Sequence, residues 1–220
     1  MKKQIIHFNK FDLVKIDKEC NIPLISDNEK EKYLKKFKKN NWHNGELSTA
    51  ESYDFRDDSI CYGKSDFYNF LMCHEIGQNI SPIISVNAII GVEDSIVLIK
   101  RPQNVSSYAG WWDFPAGMVY FNDSSLKERL YDRIMDDTRI KRQDLIIKER
   151  VAPAITLDGM ALNFFYVLDY KNSKEELKHF FKSNFKKDSP IILKKSNIDD
   201  FLESNQVVFS EILDKKIIGL

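Results

Sequence analysis

The sequence predicts a mixed α/β protein of the α+β kind, and three observations carry that expectation. Strand-like runs alternate with helical stretches after residue 83. Two β-branched runs, 83–90 and 95–99, flank a Gly-Val-Glu-Asp turn. The helical stretches place apolar residues at i, i+4 spacing, as in Leu126, Leu130 and Ile134.

The elements follow in chain order. Residues 1–80 read as a small α+β extension, and GQNISP, where Gly and Pro punctuate a change of pattern, places a boundary before a second domain at 81–220. Within the extension, DNEKEKYLKKFKKNNW predicts a helix capped by Ser26 or Asp27, with Tyr33, Leu34 and Phe37 as its apolar stripe. NGEL is a turn signal and SYDFRDDSICYG a mixed stretch. SDFYNFLMCHEIG is a second helix, capped by Ser65 and closed by Gly77. After the two strands, WWDFPAGMVYF is aromatic and turn-rich. SSLKERLYDRIMDDTRI is a helix capped by Ser124 or Asp123. LIIKERVAPAIT and ALNFFYVLDY are strands joined at Asp158-Gly159, KNSKEELKHFFKSNF is a helix, and residues 191–218 hold a short strand and a final helix.

Composition excludes several classes. The 220 residues are 43% hydrophobic and 30% charged, enough to build a core and too apolar for disorder. Lys+Arg and Asp+Glu both number 33, so net charge gives no footing for nucleic acid or an anionic membrane. Lys35, Lys36, Lys38 and Lys39, and later Lys178, Lys182, Lys186 and Lys187, read as polar helix faces, with Phe180, Phe181 and Phe185 turned to the core. Cys20, Cys61 and Cys73 form no CxxC, which argues against a disulfide framework or zinc ribbon. Cys73 and His74, adjacent on a helix, diverge by about 100° and form no thiolate–imidazole pair. No apolar run reaches bilayer length and the N-terminus lacks a secretory h-region, so a cytoplasmic setting is expected.

A strand ending in Leu98-Ile99-Lys100-Arg101, then Tyr108-Ala109-Gly110-Trp111-Trp112-Asp113-Phe114-Pro115-Ala116-Gly117, then an acidic helix, resembles the start of a Nudix domain. That family runs from a strand ending in Arg, through a Gly-x-Trp-x-x-Pro-Gly-Gly loop, into a Glu-studded helix. Arg101, Gly110, Trp112, Pro115 and Gly117 match in order and spacing. The leader is similar to the extension of larger Nudix proteins, including those acting on UDP-sugars. The resemblance implies a Nudix-type α/β/α sandwich with a mixed β-sheet, preceded by the α+β extension.

The family motif is Gly-x5-Glu-x7-Arg-Glu-U-x-Glu-Glu-x-Gly-U, with U aliphatic, and its glutamates hold Mg²⁺. Counted forward from Gly117, Asp123, Asp132 and Asp136 take acidic positions, but Tyr131 replaces Arg. Counted back from Ile140, Ile134 and Ile140 fall on aliphatic positions and Asp136-Asp137 on the Glu pair, while Arg133 replaces the key Glu and Arg139 the Gly. At about 100° per residue, Leu126, Leu130, Ile134 and Tyr131 span an arc of roughly 140°. Asp137 lies inside its edge, whereas Asp132 and Asp136 point away. The second register has the better physical case.

The resemblance then implies a Mg²⁺-dependent (or Mn²⁺-dependent) hydrolase of a nucleoside diphosphate linked to another group, a sugar nucleotide preferred. Asp136, Asp137 and Asp132 are the implied metal ligands. Arg101 would meet phosphate, and Asp158 would activate water. Trp111, Trp112 and Gly117 form the substrate-side loop. One Trp is expected in the core and the other at the rim, since neighbours on a strand face opposite ways. Gly117 is expected to serve the backbone conformation. The rival reading is a Nudix-fold nucleotide-binding or protein-interaction module that has lost catalysis, motivated by the substituted motif. A small-molecule nucleotide is the expected partner, without membrane or nucleic acid, and a homodimer stays open.

Overall fold

Secondary structure follows the residue pattern where buried side chains are large and departs from it where they are small. The computed structural model describes residues 12–19, 26–39, 44–54, 59–76, 81–105, 108–155 and 160–209. In chain order these form β1 (Asp12–Glu19), α1 (Asp27–Lys39), β2 (Glu46–Asp54), β3 (Ser59–Asp66), α2 (Phe67–Glu75), β4 (Ile83–Val92) and β5 (Ser95–Lys100). Then come β6 (Trp112–Asp113), β7 (Ala116–Met118), α3 (Leu126–Thr138), β8 (Leu145–Ile155), β9 (Ala161–Tyr170), α4 (Lys174–Asn184), β10 (Ile191–Lys194) and α5 (Ile198–Ser204). The fold is α+β with a mixed sheet, as expected, because parallel and antiparallel pairs both occur. No described helix is long and apolar enough to cross a membrane.

The chain divides into two compact units, residues 1–86, 118–129 and 151–164, and residues 87–117, 130–150 and 165–220. In the first, β2 and β3 run antiparallel from Glu46↔Asp66 to Asp54↔Ser59, and β1 lies parallel to β3. None of these three strands is visible in the hydropathy pattern. The buried positions of β2 include Ser48, Thr49 and Ala50, each at most 3% exposed, and small residues satisfy a strand without an apolar signature. Later segments join the leader directly. Ser48 N donates to Val119 O at 2.9 Å, Phe121 N to Glu46 O at 3.0 Å, and Ile83 N to Met160 O at 2.9 Å. The core here is Phe37, Leu47, Phe67, Phe70, Leu71 and Ile83, with Met118, Tyr120 and Met160 packed against it.

Two helix details of this unit differ from expectation. Leu34 is 40% exposed rather than part of the buried stripe, which narrows to Phe37 and the half-buried Tyr33. Asp66, not Ser65, caps α2, its carboxylate accepting from Asn69 N at 2.9 Å; a charged acceptor suits a helix N-terminus better than a hydroxyl. Gly77 lies outside the described residues.

In the second unit, β5 is antiparallel to β4 (Gly91↔Ile96), to β10 (Ile192↔Val97) and to β6 (Ile99↔Asp113). Ile96, Val97 and Leu98 are fully buried, as are Leu130 and Ile134 of α3; full burial of such a side chain contributes about 1.5–3 kcal/mol. Ser173 caps α4 in a reciprocal box with Glu176. Lys174 Nζ reaches Asp94 at 2.7 Å and Lys174 N reaches Glu93 Oε1 at 3.0 Å, tying the start of α4 to the β4–β5 turn. Phe181 is buried, as its place among the lysines of α4 suggested.

Candidate functional site

Helix α3 is set by its two ends. At the start Ser125 Oγ accepts from Glu128 N at 3.1 Å, so the cap is one residue beyond Ser124. Asp123, the other expected cap, instead accepts from Tyr120 N at 2.7 Å. At the finish Thr138 Oγ1 bonds Ile134 O at 2.6 Å and accepts from Ile140 N at 3.1 Å. Arg139 then takes φ 63, the left-handed conformation that favours Gly. That is the position where the second motif register places the family's Gly.

Between these ends the helix presents charge to the loop residues 113–117. Asp137 Oδ2 accepts from Ala116 N at 3.1 Å, and Asp137 Oδ1 accepts from Arg133 Nη2 at 2.8 Å. Arg133 Nε donates to Ala116 O at 3.0 Å and Nη1 to Asp136 Oδ2 at 3.2 Å. The aliphatic stem of Arg133 lies across Gly117, where an added Cβ would stand 2.4 Å from Arg133 Cδ. Gly117 has no positive φ. Its lack of a side chain serves this close approach, not the backbone conformation expected of it. Burial raises the Asp137 carboxyl above its usual range, against the pull of Arg133 and the Ala116 N–H.

Arg101, at the end of β5, places Nη1 2.7 Å from Asp113 Oδ2, and Asp113 Oδ1 accepts from Phe114 N at 2.8 Å. Burial pushes Asp113 up to about 6 although Arg101 opposes the shift, and the charge of Asp137 adds to it. Arg101 in turn draws Asp137 down, so Arg101, Asp113, Asp137 and Arg133 form one electrostatic group. Arg101 Nε is buried with no acceptor among the described residues.

The expected site residues are thus partly assembled. Asp137 and Arg101 share a neighbourhood. Asp136 stands at its edge, its side chain 58% exposed, and Asp132 points to solvent, as the helical wheel predicts for both. Trp112 stacks edge-on against Phe201 at 5.8 Å, while Trp111 tilts against the exposed Tyr108 at 5.2 Å. Asp158 lies outside the described residues. Two participants were not singled out from sequence as members of the site. Arg133 marks a substituted motif position in the sequence, and its i, i+4 spacing to Asp137 is a readable ion-pair signal. Asp113 had no signal beyond following two tryptophans. Cys73 is buried and its thiol pushed up by burial, consistent with an inert core cysteine.

No protein-family model matches the sequence, and no curated protein sequence matches it. Solved structures do resemble it. The DR0079 protein of Deinococcus radiodurans is 11% identical, over 77% of this chain and 98% of its own, with a TM-score of 0.52. A Nudix hydrolase from Nitrosomonas europaea is 12% identical over 60% and 86%, with a TM-score of 0.44. An ADP-ribose pyrophosphatase from Streptococcus suis is 11% identical over 63% and 88%, with a TM-score of 0.40. The chain shares the fold of the DR0079 protein. At these identities the likeness is one of fold, and what that scaffold does here is decided by the residues on it.

Those residues do not fit the divalent ion that Nudix hydrolases use. A hard cation needs several convergent oxygens with free lone pairs. Among the described residues no three Asp, Glu, His or Cys side chains converge in this way. Both oxygens of Asp137 are engaged by protein donors, and a fixed positive charge, Arg133, sits among the acceptors.

Proposed function

We propose that this protein is a Nudix-fold binding module for a nucleoside diphosphate linked to another group, a sugar nucleotide first, and that it does not hydrolyse its ligand through Mg²⁺. One observation carries this reading. Asp137, the motif carboxylate that faces the loop, is bonded by Ala116 N and Arg133 instead of being left open for an ion. Arginines suit phosphate oxygens because their donors are planar and permanently charged. Arg101 and Arg133 supply two guanidinium groups here, each about a quarter exposed at its side chain.

A second reading, hydrolysis, has a specific observation behind it. A carboxyl pushed to about 6 beside an arginine, as in Asp113, has the proton affinity of a general base at neutral pH. One experiment separates the two. Purified protein is titrated with UDP-sugars, GDP-sugars and ADP-ribose by calorimetry, in EDTA and in Mg²⁺, with product analysis of the same samples. Binding that persists in EDTA without product supports the module. Mg²⁺-dependent turnover that vanishes in a D136N/D137N double variant overturns it, and so does absence of binding to the whole panel.

A further inference from the structure

We infer that Arg133 is a built-in cation, occupying a latent divalent-ion position whose ligands are Ala116 O, Asp136 and Asp137. The inference rests on the metal-independent reading above and adds the identity of the group that replaces the ion.

The geometry of one side chain supports it. Each of the three guanidinium nitrogens of Arg133 meets a different oxygen. Nε has Ala116 O at 3.0 Å, Nη1 has Asp136 Oδ2 at 3.2 Å, and Nη2 has Asp137 Oδ1 at 2.8 Å. Two carboxylates and a carbonyl are the oxygen types that hold hard cations. Here they converge on a positive charge that the chain itself carries. The cradle is shaped for that side chain, because Gly117 removes the one Cβ that would collide with its stem. A surface ion pair needs neither a third acceptor from the backbone nor a glycine beneath it. The arrangement also explains how two aspartates and their loop stay together when no ion screens them. Arg133 bridges the two carboxylates, with Nη1 to Asp136 and Nη2 to Asp137.

A guanidinium is larger than an ion, so the oxygens must draw inward by about 1 Å or more to reach the 2.0–2.6 Å of Mg²⁺ or Ca²⁺ coordination. Glutamate at position 133 would permit this, since it removes the spacer and adds a third carboxylate.

Mn²⁺ is the probe, followed by paramagnetic titration and by thermal melting, with no nucleotide present. Wild-type protein is expected to melt at the same temperature in EDTA and in about 1 mM Mn²⁺. R133E is expected to melt lower in EDTA, from repulsion among three carboxylates, and to recover several degrees in Mn²⁺ with at least tenfold tighter Mn²⁺ binding than wild type. D136N/D137N in the R133E background should erase that gain. R133M, which removes the charge without adding a ligand, should gain no more than a fewfold. Should R133E fold only poorly, refolding yield with and without Mn²⁺ reads the same property, and R133Q gives a neutral ligand of similar reach. Mn²⁺ binding by the wild type that depends on Asp136 and Asp137, or an R133E whose Mn²⁺ affinity equals that of R133M, overturns the inference. Because no nucleotide enters these measurements, a failure here is separable from failure of the ligand-binding reading.

Discussion

At residue scale the contact between Gly117 and Arg133 is the most demanding in the site. A methyl group at 117 would stand 2.4 Å from Arg133 Cδ, so G117A must push the guanidinium away from Ala116 O and Asp137 or displace the loop. Overpacking of this kind costs about 1–3 kcal/mol. The expected outcome is a Tm lowered by several degrees in G117A and largely restored in G117A/R133A, because the second change removes the atom struck. Equal melting of G117A and wild type would show that the loop yields freely. The double-variant comparison isolates the coupling between the two positions. At this scale the sequence was legible in part. Arg101, Asp137 and the loop glycine could be placed through the likeness of their stretch to the Nudix motif. Asp113 acquires meaning only when β6 brings it to Arg101, whereas the i, i+4 spacing of Arg133 to Asp137 already signals an ion pair.

At the scale of the element, α3 ends with a residue that resists its own conformation. Arg139 is exposed and holds φ 63, where a Cβ costs on the order of 1 kcal/mol that glycine avoids. Part of the gain from R139G is lost to the greater freedom of glycine in the unfolded chain. The net expectation is a stabilisation of about 0.5 kcal/mol, read as a rise of roughly 1–2 °C in Tm. A fall in Tm would mean that the Arg139 side chain makes a contribution its exposure hides. Large-residue periodicity made α3, α4, β4 and β5 readable, since Leu130, Ile134 and Ile96–Leu98 advertise a buried face. Strand β2 buries Ser48, Thr49 and Ala50 instead, and residues of that size carry no periodic hydropathy to read.

Across the whole molecule, the boundary read near residue 80 and the compact units divide the chain differently. The first unit takes residues 118–129 and 151–164 together with the leader. A fragment of residues 81–220 would leave Val119 and Phe121 without their backbone partners at Ser48 and Glu46, and Met118 and Tyr120 without Leu47 and Phe67 to pack against. Such a fragment is expected to lose the cooperative thermal transition of the full chain, as followed by near-ultraviolet circular dichroism. A fragment that melts as sharply as the full chain would make the leader dispensable.

The threading of the chain back and forth also governs how the protein is born. A ribosome delivers the leader strands first, yet the segments that complete their unit emerge only near residue 164. At ordinary elongation speeds the interval from residue 86 to residue 164 lasts roughly 4–16 s. Residues 118–129 reach β2 part-way through that wait and residues 151–164 complete the unit only at its end, so early stalling or truncation of translation leaves a half-built sheet for chaperones to shield.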